Sequence, residues 1–328
     1  MSEPDTLLIL PRLRIQNANA ISGVFTWGFP SMTAFVGMMH ALERKCAQAG
    51  LDVAFNGVGV ICHHYEAQAT EGGYTRAFHL TRNPLDKSGT PAAIVEEGRI
   101  HLEISLVFDI ALRSLRLGND EDKQAFAEQV AGLITTLRVA GGTIQPPLPG
   151  RRERRPWLLK VADTPETREK QLRRLKRQLL PGFALVLRDD VLQEHLEQMQ
   201  QSNPDTDLLD AWLDLSRLNH ECRETEKGVE WCVRKDHSGW LVPIPIGFSA
   251  LSDLYAGGQV AAARDQTTPF RFVEGIYSIG EWVSPHRFRH FNDFLWYLDN
   301  DLETGTYRLN NDYQLTAQFE KQFDEKEF

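Results

Sequence analysis

Arginines and amides crowd the start of the chain: Arg12, Arg14, Gln16, Asn17 and Asn19 fall within eight residues. A guanidinium binds phosphate as a planar fork, and asparagine and glutamine amides can read base edges or ribose hydroxyls. Trp27 and Phe29 flank Gly28 shortly afterwards, and both rings are of the kind that stack on bases. A second basic group is denser. Residues 151–177 contain eleven Lys and Arg, among them Arg151, Arg152, Arg154, Arg155, Arg173 and Arg177, against four Asp and Glu, a local balance of +7. The chain of 328 residues carries 36 Lys+Arg and 45 Asp+Glu, a net −9, so everything outside that segment sums to −16. Segregation of this kind points to a polyanion held locally and excludes a chain that is basic all over. Loop asparagines also bond to nearby backbone, and a charge run often only faces solvent, so these groups are candidates.

Acid–base and metal chemistry has fewer handholds. No P-loop, GxGxxG, HExxH or GxSxG pattern occurs. His63 and His64 are adjacent, and on a strand they point to opposite faces. His101 and Glu103 share a strand face, a spacing that more often gives a surface ion pair than an acid–base couple. His40 lies among Met38, Met39 and Leu42 on a helix and reads as the edge of a core. His220, Cys222, Cys232 and His237 have the residue types for one Zn²⁺. Their spacing matches no tight knuckle, however, and Cys232 alternates with Trp231 and Val233 as a strand residue would, so no metal or cofactor is expected. Four separated cysteines without a CxxC pair indicate a reducing compartment. The chain is expected to be cytoplasmic. The apolar run Leu7–Leu10 is too short for a signal peptide, and the uncharged stretch Ile15–Leu42 holds too many polar residues and glycines to span a membrane.

These side chains need a scaffold. Leu7–Ile15 reads as a buried strand and Asn17–Pro30 as a loop. Ser31 is placed to cap a helix that carries Phe35, Met38, Met39 and Leu42 at helical spacing up to Gly50. Val53–Glu66 is β-rich, with Gly57 and Gly59 marking a bulge or close packing. Tyr74–Leu80 and Arg99–Phe108 are further strands, Asp120 is placed to cap a helix running to about Val139, and Thr143–Gln145 begins another strand. This β-α-β-β-α-β order, with one extra strand between the central two, is the ferredoxin-like arrangement of the α+β class. Pro146–Arg155, rich in Pro and Arg, breaks the chain. The predicted organisation is a ferredoxin-like domain over 1–148, a basic helical insertion over 149–230, and a C-terminal β/α part over 231–328 that packs on the first domain. In the insertion, Thr164 and Pro165 start a helix striped by Leu172, Leu175 and Leu179 and stopped by Pro181-Gly182, and helices over Asp189–Gln201 and Asp205–Asn219 follow. In the last part, Ser284-Pro285 opens a helix with Phe288, Phe291, Leu295 and Leu298 on one stripe.

Four blocks of sequence carry a resemblance. Pro11–Ala20 with Trp27–Pro30 (PRLRIQNANA, WGFP), Leu80–Leu85 with Ala92–Arg99 (LTRNPL, AAIVEEGR), Leu179–Val186 (LLPGFALV) and Gly239–Arg289 (GWLVPIP, ALSDLY, ARDQTTPFRFVE, GEWVSPHRFR) resemble one family. It is that of the Cas5-type tail subunits of the type I-F CRISPR Csy surveillance complex, which belong to the RAMP superfamily. The resemblance implies a non-catalytic subunit with a ferredoxin-like domain and an elaborated second part. It implies a grip on the 5′ handle of the crRNA, tight pairing with the large Csy subunit, and contact with the first Cas7-type backbone subunit. It also implies a position near the entry site of the target double-stranded DNA, and no membrane. On the matching blocks, Arg14, Gln16, Asn17, Asn19, Arg82 and Asn83 become handle-side candidates. Arg12 joins them from the polar cluster, while Arg151, Arg152, Arg154, Arg155, Arg173 and Arg177 come from charge alone. The other reading is a metal-independent endoribonuclease of the same superfamily that processes CRISPR repeat RNA, with His40, His63 or His101 as the base.

Overall fold

Strand β1 (Thr6–Asn19) is buried on both faces at its start, where Leu7, Leu8, Ile9 and Leu10 are all fully enclosed, and it forms the axis of the fold. The computed structural model describes residues 3–73, 75–82, 85, 88–113, 118–147, 154–225, 228–233, 237, 239–263 and 265–313. After β1 come α1 (Met32–Gln48), β2 (Val53–Gly72), β3 (Thr75–Arg82), β4 (Ile94–Glu97), β5 (Arg99–Leu112), α2 (Asp120–Ile134), β6 (Arg138–Val139) and β7 (Gly142–Gln145). Next are β8 (Trp157–Lys160), α3 (Pro165–Leu179), β9 (Phe183–Leu187), α4 (Asp189–Ser202), α5 (Leu208–Ser216), β10 (His220–Thr225) and β11 (Gly228–Val233). The last of the described elements are β12 (Leu241–Ala250), β13 (Val273–Val283), β14 (Leu295–Asp301) and β15 (Thr306–Asn311). The molecule is α+β, with antiparallel pairing throughout its main sheet. No helix among the described residues is long and apolar enough to cross a membrane.

The first half of the sheet runs β2-β5-β1-β7. Period-two alternation sorts its faces. On β5, Ile100, Leu102, Ile104, Leu106, Phe108 and Ile110 all point into one core, beneath α1 and α2. The Ser31 hydroxyl accepts from the Thr33 N–H and caps α1, as its sequence position predicts. The cap of α2 is Asn119, whose side chain accepts from the Asp122 N–H at 2.8 Å, so Asp120 sits inside the helix and favours its N-terminal dipole. That helix stops at Ile134, five residues short of Val139. Thr135 and Thr136 turn their hydroxyls onto the carbonyls of Gly132 and Leu133, and Ala140 and Gly141, both at positive φ, then make the two-residue turn of the β6–β7 hairpin.

Residues 149–230 contribute strands as well as helices: β8 pairs with β1 and β9 with β2. The C-terminal strands join the same sheet. β9, β13, β12, β15 and β14 follow β2 in order, and β14 pairs back onto β2, closing a six-strand ring. The stripe Phe288, Phe291, Leu295 and Leu298 does not form a helix. Two 3₁₀ turns (Pro285–Arg287 and Phe291–Phe294) lead directly into β14. The turns are held by the Asp293 carboxylate, which accepts from the Arg289 and His290 N–H groups. From Leu295 the period becomes two: Leu295 enters the core on the α3 side and Trp296 the core on the α1 side, where its Nε1–H donates to the Leu185 carbonyl at 2.8 Å. Residues with spacings of three and four suit a helix and also this turn–strand combination, and tertiary packing decides between them.

Ring closure depends on bare backbone at Gly59. A Cβ there would lie 2.6 Å from the Phe294 ring and 2.9 Å from the Phe294 carbonyl oxygen, closer than packed atoms approach. Gly59→Ala is therefore expected to destabilise the chain by about 1–3 kcal/mol. The check is the urea midpoint of the full chain, which should fall with the slope unchanged.

Candidate nucleic-acid interface

The open face of the sheet is created by one bulge. Leu10 faces Leu106 and Leu13 faces Ile104, so Pro11 and Arg12 together oppose Ser105 alone. Arg12 takes a positive φ of 55° there. The extra residue reverses the alternation. Before the bulge, Leu8 and Leu10 enter the α1 core while Leu7 and Ile9 enter the α3 core. After it, Leu13 and Ile15 take the α1 side, and Arg14 and Gln16 emerge where Leu7 and Ile9 had pointed. On β5 the same face carries His101, Glu103 and Ser105 before Val107 returns to the α3 core. The second face of the sheet is thus apolar and covered at one end, and polar and open at the other.

A closed set of hydrogen bonds fixes the bulge. The Arg12 N–H donates to Ser105 Oγ at 3.0 Å. His63 Nε2 lies 2.7 Å from the same Oγ, and His63 Nδ1 lies 2.6 Å from the Pro181 carbonyl oxygen. With its proton assigned to Nδ1, the ring donates to Pro181 and accepts from Ser105. The Arg12 guanidinium bonds Glu103 at 3.0 Å and reaches the Leu180 and Pro181 carbonyls at 3.3 and 3.4 Å. Gly182 lets β9 approach this closely, since a Cβ there would meet His63 Nδ1 at 2.7 Å. Burial, with the nearby Arg12 charge, holds the His63 pKa down at about 4 against the opposing pull of the Pro181 hydrogen bond.

Beside the bulge, one edge of β1 has a gap between its described partner strands. β7 pairs with Arg14–Gln16 and β8 with Thr6–Ile9, and between them, from Leu10 to Leu13, no described strand lies opposite. A groove of about 1580 Å³ opens in that gap, with Arg12, Arg14, Arg154, Arg155 and Arg177 in its walls and, among the described residues, Glu103 as the one carboxylate. Glu103 is paired with Arg12, and among the described residues no ion pair engages the other four arginines. Arg14 donates to the Pro146 carbonyl and Arg177 to that of Arg173. Further along β1, Gln16 and Asn17 line a separate polar hollow of about 410 Å³ with Arg99, Arg138, His79 and Thr143. There Asn17 is left-handed at φ 57°, and its N–H donates to His101 Nδ1.

The structure therefore brings five of the arginines singled out by sequence, Arg12, Arg14, Arg154, Arg155 and Arg177, to one groove, with Gln16 and Asn17 in the separate hollow further along β1. Others lie apart. The Asn19 amide is spent on the Ile21 backbone, as both donor and acceptor. Arg82 donates to the Ala92 carbonyl on the exposed β3–β4 ribbon. Arg173 is exposed and paired with Glu169 at 2.6 Å, off the groove walls. Asn83, Arg151 and Arg152 lie outside the described residues. Of the zinc candidates, Cys222 faces Trp231 and Cys232 faces Glu221 across the β10–β11 hairpin, and no metal-binding cluster forms among the described residues. His237 instead meets His195 (3.1 Å), which meets the buried Asp214 carboxylate (2.9 Å). Sequence reasoning missed that chain, and also Ser105 and Pro181, because each is assembled from residues far apart along the sequence. Only Pro181-Gly182, read as a helix stop, gave a signal.

The sheet of this α+β chain opens into a groove whose guanidinium forks have the chemistry to meet an extended anion. The family model described as CRISPR-associated protein (Cas_Csy2) matches residues 8–309. The chain is also 48% identical over 321 residues, 94% of its own length and 96% of the relative's, to the CRISPR-associated protein Csy2 of Pseudomonas aeruginosa (strain UCBPP-PA14). It belongs to the Cas_Csy2 family and is a subunit of the type I-F CRISPR Csy complex.

The neutral state of His63 sets a pH dependence. In the unfolded chain the ring protonates near 6.5, in the fold near 4, so between those values the unfolded state binds the extra proton. The contribution of His63 to stability is complete above about pH 6.5 and is lost as the pH falls toward about 4. The urea midpoint should drop across that window. His63→Gln is expected to be less stable than the parent at pH 7.5 and to lose less on acidification. Equal losses in both chains would remove His63 as the origin.

Proposed function

We propose that the chain is the crRNA-holding, non-catalytic tail subunit of its complex, a Cas5-type member of the RAMP superfamily. It grips the 5′ handle of the crRNA, pairs with the large Csy subunit, abuts the first Cas7-type backbone subunit and stands near the entry site of target double-stranded DNA. The observation that carries this reading is the groove: four guanidinium groups, with no carboxylate partner among the described residues, line an open channel beside a polar sheet face. That is the arrangement a ribophosphate strand of fixed sequence needs, with forks for phosphates and amides and hydroxyls for bases. The strand order β2-β5-β1-β7 with α1 and α2 on one face supports the ferredoxin-like reading of the N-terminal part.

The endoribonuclease alternative has less support. It needs a histidine able to take a proton from a ribose 2′-hydroxyl. His63 uses both ring nitrogens within the fold, and His101 Nδ1 is occupied by the Asn17 N–H.

Two measurements test the proposal. RNA affinity should fall with salt by about 0.7 in log K per neutralised phosphate. The triple variant Arg154→Ala/Arg155→Ala/Arg177→Ala should lower that slope by up to about two units, while Arg173→Ala leaves it as in the parent. An unchanged slope in the triple variant would remove the groove from the RNA site. Repeat RNA incubated with the full chain in EDTA should remain intact, and site-specific cleavage lost in His101→Ala would overturn the non-catalytic assignment.

A further inference from the structure

A broad aromatic surface lies immediately beyond the groove. Pro181 stands in the groove wall, and Phe183, two residues on, lines a second cavity of about 570 Å³ between β2, β9, β12 and the start of α1. His63, which lines this cavity, holds the dividing Pro181 carbonyl by its ring, and Arg12 holds the same carbonyl from the groove side. Pro181 in one lining and Phe183 in the other thus make the two hollows neighbours across Gly182.

Aromatic rings stand among the aliphatic residues of the cavity wall. Phe183 meets Trp240 with centroids 6.3 Å apart, Trp240 meets Trp282 at 6.1 Å, and Trp282 meets Phe29 at 4.9 Å, forming a ladder that runs from the mouth into the core. Trp27 and Tyr65 also line the cavity. Trp240 is 53% exposed, and Trp27, Tyr65 and Phe183 are similarly open, a costly state for such large apolar groups unless something covers them. Polar side chains in the lining are Ser22, Ser31, His63, His64, Tyr65 and Arg76, enough to meet the edge of a flat ligand.

We propose that this cavity receives one unstacked nucleobase of the RNA strand whose phosphates occupy the arginine groove. The inference rests on the reading of the groove as an RNA site. A base turned out of a single strand loses its stacking neighbours, and the Trp240 and Trp27 faces replace them. The Pro181–Gly182 saddle then lies under the backbone where the strand passes from groove to cavity. Such a pocket fixes the position of the strand, which a row of arginines alone cannot do, because phosphates repeat identically along the chain.

The test uses the full chain and a short oligouridylate carrying 5-iodouridine, with photocrosslinking, peptide mapping and affinity measured across a salt series. Crosslinks are expected at Trp240, Trp27 or Phe183. Trp240→Ala is expected to weaken binding about 5- to 150-fold with the salt slope of the parent, since no phosphate contact is lost, and Trp240→Phe to restore most of the affinity. If RNA binds with a slope that responds to the groove arginines, but crosslinks avoid the cavity and Trp240→Ala binds as the parent does, the base pocket is overturned and the groove stands. The base pocket is overturned in the same way if another protein subunit, and not RNA, shields Trp240 in the assembled complex. If the parent binds no RNA, the groove reading falls and the base pocket with it.

Discussion

The bulge at Pro11–Arg12 is the constraint on which the rest of the molecule depends. A strand reading LLILPRLRIQ could bury its apolar residues in one register only by abandoning alternation somewhere, because four consecutive apolar residues precede an arginine-alternating segment. Proline supplies no N–H, so it is tolerated where the ladder is interrupted. The Arg12 N–H, which would otherwise be stranded, finds Ser105 Oγ. Ser105, His63 and the Pro181 carbonyl complete the circuit, so β1, β2, β5 and the approach to β9 are locked at one point. A positive φ at a non-glycine residue is unfavourable alone, and here the surrounding hydrogen bonds outweigh it.

From that point the division of labour follows. One end of the second sheet face is sealed by Leu172, Leu175 and Leu179 of α3 with Phe288, Phe291 and Phe294. The other end stays open and polar. The basic segment after the first sheet returns along the β1 edge as β8, bringing Arg154 and Arg155 to the gap, and α3 brings Arg177 from the far side. Three separate stretches of sequence thereby place cations around one channel. Outside residues 151–177 the sequence sums to −16, so the cations of the channel stand against an acidic chain.

Much of this was legible in the sequence, for physical reasons. Local signals sufficed for the Ser31 cap, the start of α3 at Thr164-Pro165, the Leu172, Leu175 and Leu179 stripe, and close packing at Gly57 and Gly59. The polar cluster on β1 and the arginines around residue 154 were recognisable by composition. What was illegible depends on residues distant in sequence. The strand β14 was hidden in a stripe that also fits a helix, and the end of α2 was set by threonine hydroxyls and a two-residue turn that hydrophobic periodicity does not encode. Asn19 looked like a base reader and proved to brace its own loop. The circuit through His63 had no sequence signal, since adjacent histidines on a strand give no hint that one of them meets a serine 42 residues away.

The central claim is that RNA lies along the edge of β1 between β7 and β8. Amide hydrogen exchange of the full chain, with and without repeat-derived RNA at low salt, tests it most directly. Slowed exchange in peptides covering Leu10–Gln16 and Arg154–Trp157 is the result the account predicts. Unaltered exchange in both, with protection confined to other parts of the chain, would contradict it.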